Sequence, residues 1–325
     1  MATVGLPPLN SVPTNSGKLL TFIVPAPRGC NLKCPFCFLK RQGQHISQTN
    51  ISPPDLETFI EEAHQEVQVF AVSVQGIEPL LPDSLDYTKS ILSISRELSL
   101  PANIVTNGTL LRDAMPFLAN FAINTLGVSL DSATPDEHDR LRGVKGAWAA
   151  SVEGIKSARR SLKSTALAVL SVLLPSKVEL IKDMPALVRE LGVDYWIVQP
   201  LIPFGKVVRR NALFRDLTLL TEVAGDAGIR LLVSGEQAYG LDNCLYEKSK
   251  GKLPLLSLPQ DVQVVRLSPD GQCLLGSDIL AVPSPAYPRW RPGERHAGSF
   301  LKDLENKRAR HSLSSGFLAP SIGAA

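Results

Sequence analysis

Six short apolar runs alternate with amphipathic segments between residues 20 and 198, and this alternation restricts the fold more than any other feature of the chain. The runs are Leu20–Val24, Val69–Val74, Asn103–Thr106, Ile123–Leu130, Ala166–Leu174 and Tyr195–Val198. Between them, residues 52–68, Ser84–Leu98, Arg112–Asn120, Trp148–Leu162 and Leu180–Leu191 read as helices. In the first helix Ser52 is placed to cap, Pro53 and Pro54 suit the opening turn, and Leu56, Phe59, Ile60 and Ala63 make the apolar stripe. Strands that alternate with helices form a parallel sheet with right-handed crossovers. Polar punctuation follows the strand ends, which favours a barrel, because a barrel carries its chemistry on the rim at the strand C-termini. The expected fold class is α/β: a partial (β/α)6 TIM-type barrel with a small C-terminal α+β extension.

The expected organisation is a flexible N-terminal arm at 1–18, a core barrel at 19–205, an extension at 206–312 and a loose tail at 313–325. Within the extension, Leu213–Ala224 reads as a helix and Ile229–Val233 as a strand. Val262–Leu267 and Gln272–Leu275 read as a hairpin turned at Ser268-Pro269-Asp270-Gly271. Residues 282–293, rich in Pro and Arg, read as loop. The 34 basic and 31 acidic residues nearly balance, so the chain as a whole gives no signal for a polyanionic partner. Arg289–Arg310 mixes both signs, including Glu294, Asp303 and Glu305, and reads as a solvated helix rather than a nucleic-acid surface. No apolar run approaches the ~18 residues of a membrane span. The start carries Pro7, Pro8 and Pro13 and no apolar core of signal-peptide length. The expectation is a cytoplasmic protein with no membrane partner. Five cysteines are too few for a disulfide scaffold, and in a reducing compartment clustered thiols serve metal or redox chemistry.

Three of those cysteines, Cys30, Cys34 and Cys37, fall within eight residues at the spacing C-x3-C-x2-C. A compact loop can aim three thiolates at one centre. A cubane iron–sulfur cluster has four iron corners, so three protein ligands leave one iron open to a small molecule, as in other catalytic metal centres. A zinc site completed by His45 or Cys244 is the alternative, against which stands the habit of structural zinc sites to pair two cysteine knuckles. Lys33, Lys40 and Arg41 would offset the charge of a thiolate-bound cluster, and a solvated loop face explains them equally well.

With Phe36 just before the last cysteine, Cys30–Cys37 resembles the signature of radical S-adenosylmethionine (SAM) enzymes. Further segments agree in order. Gly76-Ile77-Glu78-Pro79 looks like the family's GGEP motif, with Ile77 in place of the second glycine. Thr106-Asn107-Gly108, Ser129-Leu130-Asp131-Ser132 and His138-Asp139-Arg140-Leu141-Arg142-Gly143 follow, and Gln199-Pro200-Leu201, with Pro203 and Gly205, ends the sixth strand. The resemblance covers roughly residues 20–205.

The resemblance implies one [4Fe-4S] cluster on Cys30, Cys34 and Cys37, whose open iron chelates the amino and carboxylate groups of SAM. It implies SAM contacts from Gly76, Ile77, Glu78 and Pro79, from Thr106, Asn107, Ser129 and Asp131, and from Arg142 or Arg140. Capping and turn chemistry accounts for Thr106, Asn107, Ser129 and Asp131 about as well. No catalytic side chain is singled out. The implied reaction is reductive cleavage of SAM to a 5′-deoxyadenosyl radical that removes hydrogen from substrate, with an electron donor such as flavodoxin or ferredoxin. Ser268-Pro269-Asp270-Gly271 resembles the hairpin turn of a C-terminal SPASM module. Only Cys244 and Cys273 remain there, and Gly276 stands where a relative often has cysteine, so the module is expected to be degenerate, with both thiols behaving as small hydrophobes. The remnant leans the expected substrate toward a peptide or protein. A small-molecule substrate in cofactor biosynthesis is the alternative, and a non-catalytic iron–sulfur regulatory protein is the reading from another class.

Overall fold

Consecutive apolar residues suit strands buried on both faces, and the chain uses them to build one sheet whose C-terminal ends carry the motifs. The computed structural model describes residues 17–25, 29–37, 51–175, 177–201, 210–233, 253, 262–275 and 288–314. The strands are β1 (Gly17–Val24), β2 (Val69–Gly76), β3 (Ala102–Thr106), β4 (Ile123–Ser129), β5 (Ala166–Leu173), β6 (Tyr195–Pro200), β7 (Leu231–Val233), β8 (Val262–Leu267) and β9 (Cys273–Leu275). The helices are α1 (Pro53–Glu66), α2 (Pro82–Glu97), α3 (Leu111–Leu118), α4 (Pro135–Arg142), α5 (Ala147–Ser161), α6 (Met184–Glu190), α7 (Arg210–Asp226) and α8 (Ala297–Ser314).

The sheet runs β7-β6-β5-β4-β3-β2-β1-β8-β9, with every pair parallel except β8–β9. It does not close, since β7 and β9 are its two edges. Register puts Leu20, Phe22, Val72, Val74, Ile104, Leu126, Val128, Val169 and Trp196 on the face that packs against the helices. The alternate positions give the opposite face a buried polar row, Arg266, Thr21, Ser73, Asn103 and Thr125, on adjacent strands.

The expected helix 52–68 forms as α1, and its cap is a reciprocal box: the Ser52 hydroxyl accepts from Asp55 N while Asp55 accepts from Ser52 N. Three expectations shift. Gly17 and Lys18, read as the end of the arm, begin β1 instead, and Lys18 N donates to Gln68 O at 2.6 Å. The helix expected at Leu180–Leu191 splits into a 3-10 turn at Val178–Leu180 and α6. Pro185 lacks an N–H and fits only in a first turn, which forces the restart. Residues 135–142, read only as a motif, form α4. Its apolar content is too low for a periodic signal, and its ends are set by Pro135 and by Gly143 at φ +70°. The hairpin forms as β8 and β9, and β8 extends the main sheet by pairing with β1, Leu20 opposite Val265 and Phe22 opposite Leu267. Trp290, fully buried, packs edge-on against Phe59 of α1 at 5.0 Å. Residues 1–16, the tail beyond 314 and residues 282–287 of the loop at 282–293 lie outside the described residues.

Candidate functional site

β2 ends at Gly76, whose φ of +135° turns the chain into Ile77-Glu78-Pro79. Glu78 is fully buried. Its Oε1 accepts from Thr106 Oγ1 at 2.6 Å and from Leu80 N at 3.1 Å, and its Oε2 accepts from Asn107 N at 2.7 Å. These bonds tie the end of β2 to the end of β3. A carboxylate has about four lone-pair positions, so one stays open after these three bonds. Burial pushes the Glu78 pKa up, against the pull of its three donors. The turn after Thr106 is tight: a Cβ at Gly108, where φ is +83°, would meet Val128 and Ser151.

The cysteine loop lies on this rim. The Cys30 thiol donates toward Ile77 O at 3.7 Å, and the Cys30 sulfur accepts from Leu32 N at 3.3 Å and Asn107 Nδ2 at 3.8 Å. Asn107 Nδ2 also donates to Asn31 Oδ1 at 2.9 Å, and Asn31 Nδ2 donates to Thr109 Oγ1 at 2.7 Å. All three thiols are free and partly exposed. Burial raises the pKa of Cys30 and Cys34; Cys34 and Cys37 act on Cys30 as nearby like charges, and at Cys34 Arg142 pulls the value back while Cys37 pushes it up.

From the other side the loop meets α4. Lys33 N donates to Arg142 O at 2.8 Å. A Cβ at Gly143 would stand 2.8 Å from Lys33 O, so this approach requires glycine. The Arg142 guanidinium forms an ion pair with Asp131, Nε to Oδ2 at 2.7 Å, and both side chains are buried. Its Nη1 donates to Cys34 Sγ at 3.9 Å, and its plane lies over the Phe36 ring at 5.5 Å. Burial works against its charge, but Asp131 and Cys34 outweigh burial and hold its pKa above the usual guanidinium value. Asp131 Oδ1 accepts from Val172 N at 3.0 Å, and Asp131 N donates to His138 Nδ1 at 3.1 Å. His138 is fully buried, and burial together with nearby Arg142 lowers its pKa to about 4.

The structure thus gathers Cys30, Cys34, Cys37, Ile77, Glu78, Thr106, Asn107, Asp131 and Arg142 along one rim. Pro79 O accepts from Thr88 Oγ1 at 2.7 Å, which pins the exit of that turn onto α2. Ser129 ends β4 half-buried, opposite Leu170. Cys273 sits apart, buried in the core, with its pKa pushed up to about 12 by burial. His45, Lys40, Arg41, Cys244, Pro203, Gly205 and Gly276 lie outside the described residues. Sequence reasoning passed over Asn31 and Thr109. Their only signal was a polar residue next to a cysteine and another next to the TNG turn.

Among the described residues no three His, Cys, Asp or Glu side chains converge as ligands of one metal ion. A cubane does not require that, because each thiolate binds a different iron corner. Three free thiols on one short loop, with amide and guanidinium N–H groups turned toward two of their sulfurs, match the donor set of a three-cysteine cluster.

The family model of the Radical SAM superfamily matches residues 24–193, just over half of the chain. The chain belongs to the radical SAM superfamily. The family's cofactors are a [4Fe-4S] cluster and SAM. Among curated relatives, a probable GTP 3′,8-cyclase of Thermococcus kodakarensis is 31% identical over 140 residues, 42% of this chain and 43% of the relative. The PqqA peptide cyclase of Gluconobacter oxydans is 28% identical over 169 residues, 50% of this chain and 44% of the relative. The matched segments therefore span less than half of either relative's length. Among solved structures, Streptococcus suis SuiB bound to S-adenosylmethionine superposes with a TM-score of 0.67 at 17% identity, over 88% of this chain and 66% of that one. A structure of anSMEcpe with AdoMet and a Cp18Cys peptide gives 0.63 at 20% identity, over 95% and 84%. At such identities these structures show the shared fold: α/β, with a mostly parallel open sheet of the partial-barrel kind. Among the described residues no helix is long and apolar enough to cross a membrane.

Proposed function

We propose that this chain is a radical SAM enzyme whose substrate is a peptide or protein. The observation that carries the enzymatic reading is the seating of the three-cysteine loop on the strand rim, between the Glu78–Asn107 turn and the Asp131–Arg142 pair. A bound cluster, given one electron by an external donor, would supply reductive SAM cleavage and with it radical hydrogen abstraction from the substrate. Cys30, Cys34 and Cys37 hold the cluster. Gly76 and Ile77 present backbone next to Cys30, and the open lone pair of Glu78 accepts from the SAM amino group. Arg142 keeps further N–H donors beyond those on Asp131 and Cys34, and these suit the SAM carboxylate. Thr106, Asn107, Ser129 and Asp131 shape the rim around it.

Two likenesses support a peptide: the PqqA peptide cyclase by sequence, and the peptide-bound SuiB and anSMEcpe structures by fold. A small-molecule reading has its own support. A GTP 3′,8-cyclase of Peptoclostridium acidaminophilum aligns at 24% identity over 311 residues, 88% of this chain and 89% of the relative. Anaerobic reconstitution with iron and sulfide, then reduction with dithionite in the presence of SAM and assay for methionine and 5′-deoxyadenosine, tests the enzymatic reading. The expected result is about four irons per chain in the wild type, SAM cleavage, and loss of both in Cys34→Ala. A wild-type chain that stays free of iron, or an intact cluster in Cys34→Ala, overturns the assignment. Cleavage stimulated by candidate peptides and not by GTP supports the peptide; the reverse supports the nucleotide.

A further inference from the structure

The three thiolates face unequal surroundings. The Cys30 sulfur accepts from two neutral N–H groups, Leu32 N and Asn107 Nδ2. The Cys34 sulfur faces the guanidinium of Arg142, a positive charge partly offset by its ion pair with Asp131, with Arg142 acting more strongly on Cys34 than Asp131 does. That charge is fixed in place on several sides: Asp131 at 2.7 Å, the Phe36 ring beneath it, and its own carbonyl bonded to Lys33 N. Asp131 is itself held by Val172 N and by His138, so the guanidinium cannot swing away without breaking a buried network. Arg140, two residues earlier on the same helix, is largely exposed and pairs with Glu137 at the surface.

A cluster bound by thiolates gains negative charge when it is reduced, and a buried cation beside one sulfur stabilises the reduced form. Solvent does little to screen such a charge, whereas it screens an exposed one. Hydrogen bonds to the sulfurs and local charge are the levers by which a protein sets such a potential. We propose that Arg142 is a positioning and tuning residue that raises the reduction potential of the cluster through Cys34, held in register by Asp131 and His138. The inference rests on the radical SAM reading above and adds a role that SAM binding does not require.

The test is a potentiometric titration of the reconstituted cluster, followed by electron paramagnetic resonance in the absence of SAM, so that loss of SAM binding does not enter. Arg142→Gln is expected to shift the reduced-to-oxidised ratio at least tenfold toward the oxidised form, about 59 mV downward for one electron. Arg142→Lys, which keeps a charge but loses the planar fork, is expected to fall between. Arg140→Gln removes the same formal charge two residues away and is expected to leave the potential unchanged. An unchanged potential in Arg142→Gln, or an equal shift in Arg140→Gln, overturns the proposal. So does loss of the cluster in both Arg142 variants, which would make the residue a loop clamp only. A wild-type protein that assembles no cluster would instead overturn the underlying family chemistry.

Discussion

His138 shows how a single buried group couples this rim to the stability of the fold. Its imidazole is neutral in the folded chain, with a pKa of about 4 against about 6.5 when exposed. Between those values the unfolded chain binds the extra proton, so stability rises with pH through that window and is lost as pH falls from about 6.5 toward 4. The full difference is worth roughly 3 kcal/mol. In the cluster-free protein, His138→Gln should flatten the pH dependence of urea unfolding between pH 6.5 and 4.5, and equal slopes in the two proteins would contradict this. The sequence displayed His138 as part of HDRLRG but not its partner. Asp131 and His138 meet through a backbone N–H, and a backbone donor leaves no trace in residue types. Cys30, Cys34, Cys37 and Glu78 were legible because their chemistry fixes both residue and spacing. Asn31 and Thr109 were not, since Asn and Thr beside turns are common for local reasons.

At the scale of elements, strands and long helices were readable from apolar periodicity, and the short polar α4 was not. The docking of α8 on α1 was hidden as well, because a helix N-terminus can borrow its cap from a distant side chain. Ala297 N donates to Glu62 Oε2 at 2.6 Å, and Ser299 Oγ donates to Glu66 at 3.0 Å. Gly298 lies so close that an added Cβ would stand 2.8 Å from the Glu62 carbonyl oxygen. Glu62→Ala leaves the Ala297 donor without its carboxylate and should lower stability by about 1 kcal/mol, the usual value of an N-cap. Amide exchange at Ala297–Ser299 should quicken before that of α1. Gly298→Ala should have the larger effect, because it pushes the two helices apart. Unaltered exchange in both variants would show that α8 does not depend on this contact.

Over the whole molecule, main-chain hydrogen bonds join the stretch read as a barrel to residue 205 with the extension that follows it. β8 occupies the open edge of β1 from Gly17 to Phe22, and β7 occupies the edge of β6. A parallel partner 245 residues along the chain has no local signature, since pairing is chosen by which edge is open and which faces match. Trp290 adds an apolar seal over Phe59, which also packs on Phe22 of β1 at 6.1 Å. A chain ended at residue 205 would bare two strand edges and the Phe22–Phe59 surface together, the combination that drives edge-to-edge association. Such a truncation is expected to be aggregated or to unfold without cooperativity, as read by size-exclusion chromatography and thermal denaturation. A soluble, monomeric 1–205 fragment with a sharp transition would instead make 206–312 an independent module. Trp290→Ala in the full chain provides the graded version. Loss of a buried aromatic side chain costs about 3–5 kcal/mol, and the effect should appear in β1 and α1 as well as near residue 290 if one core serves both stretches.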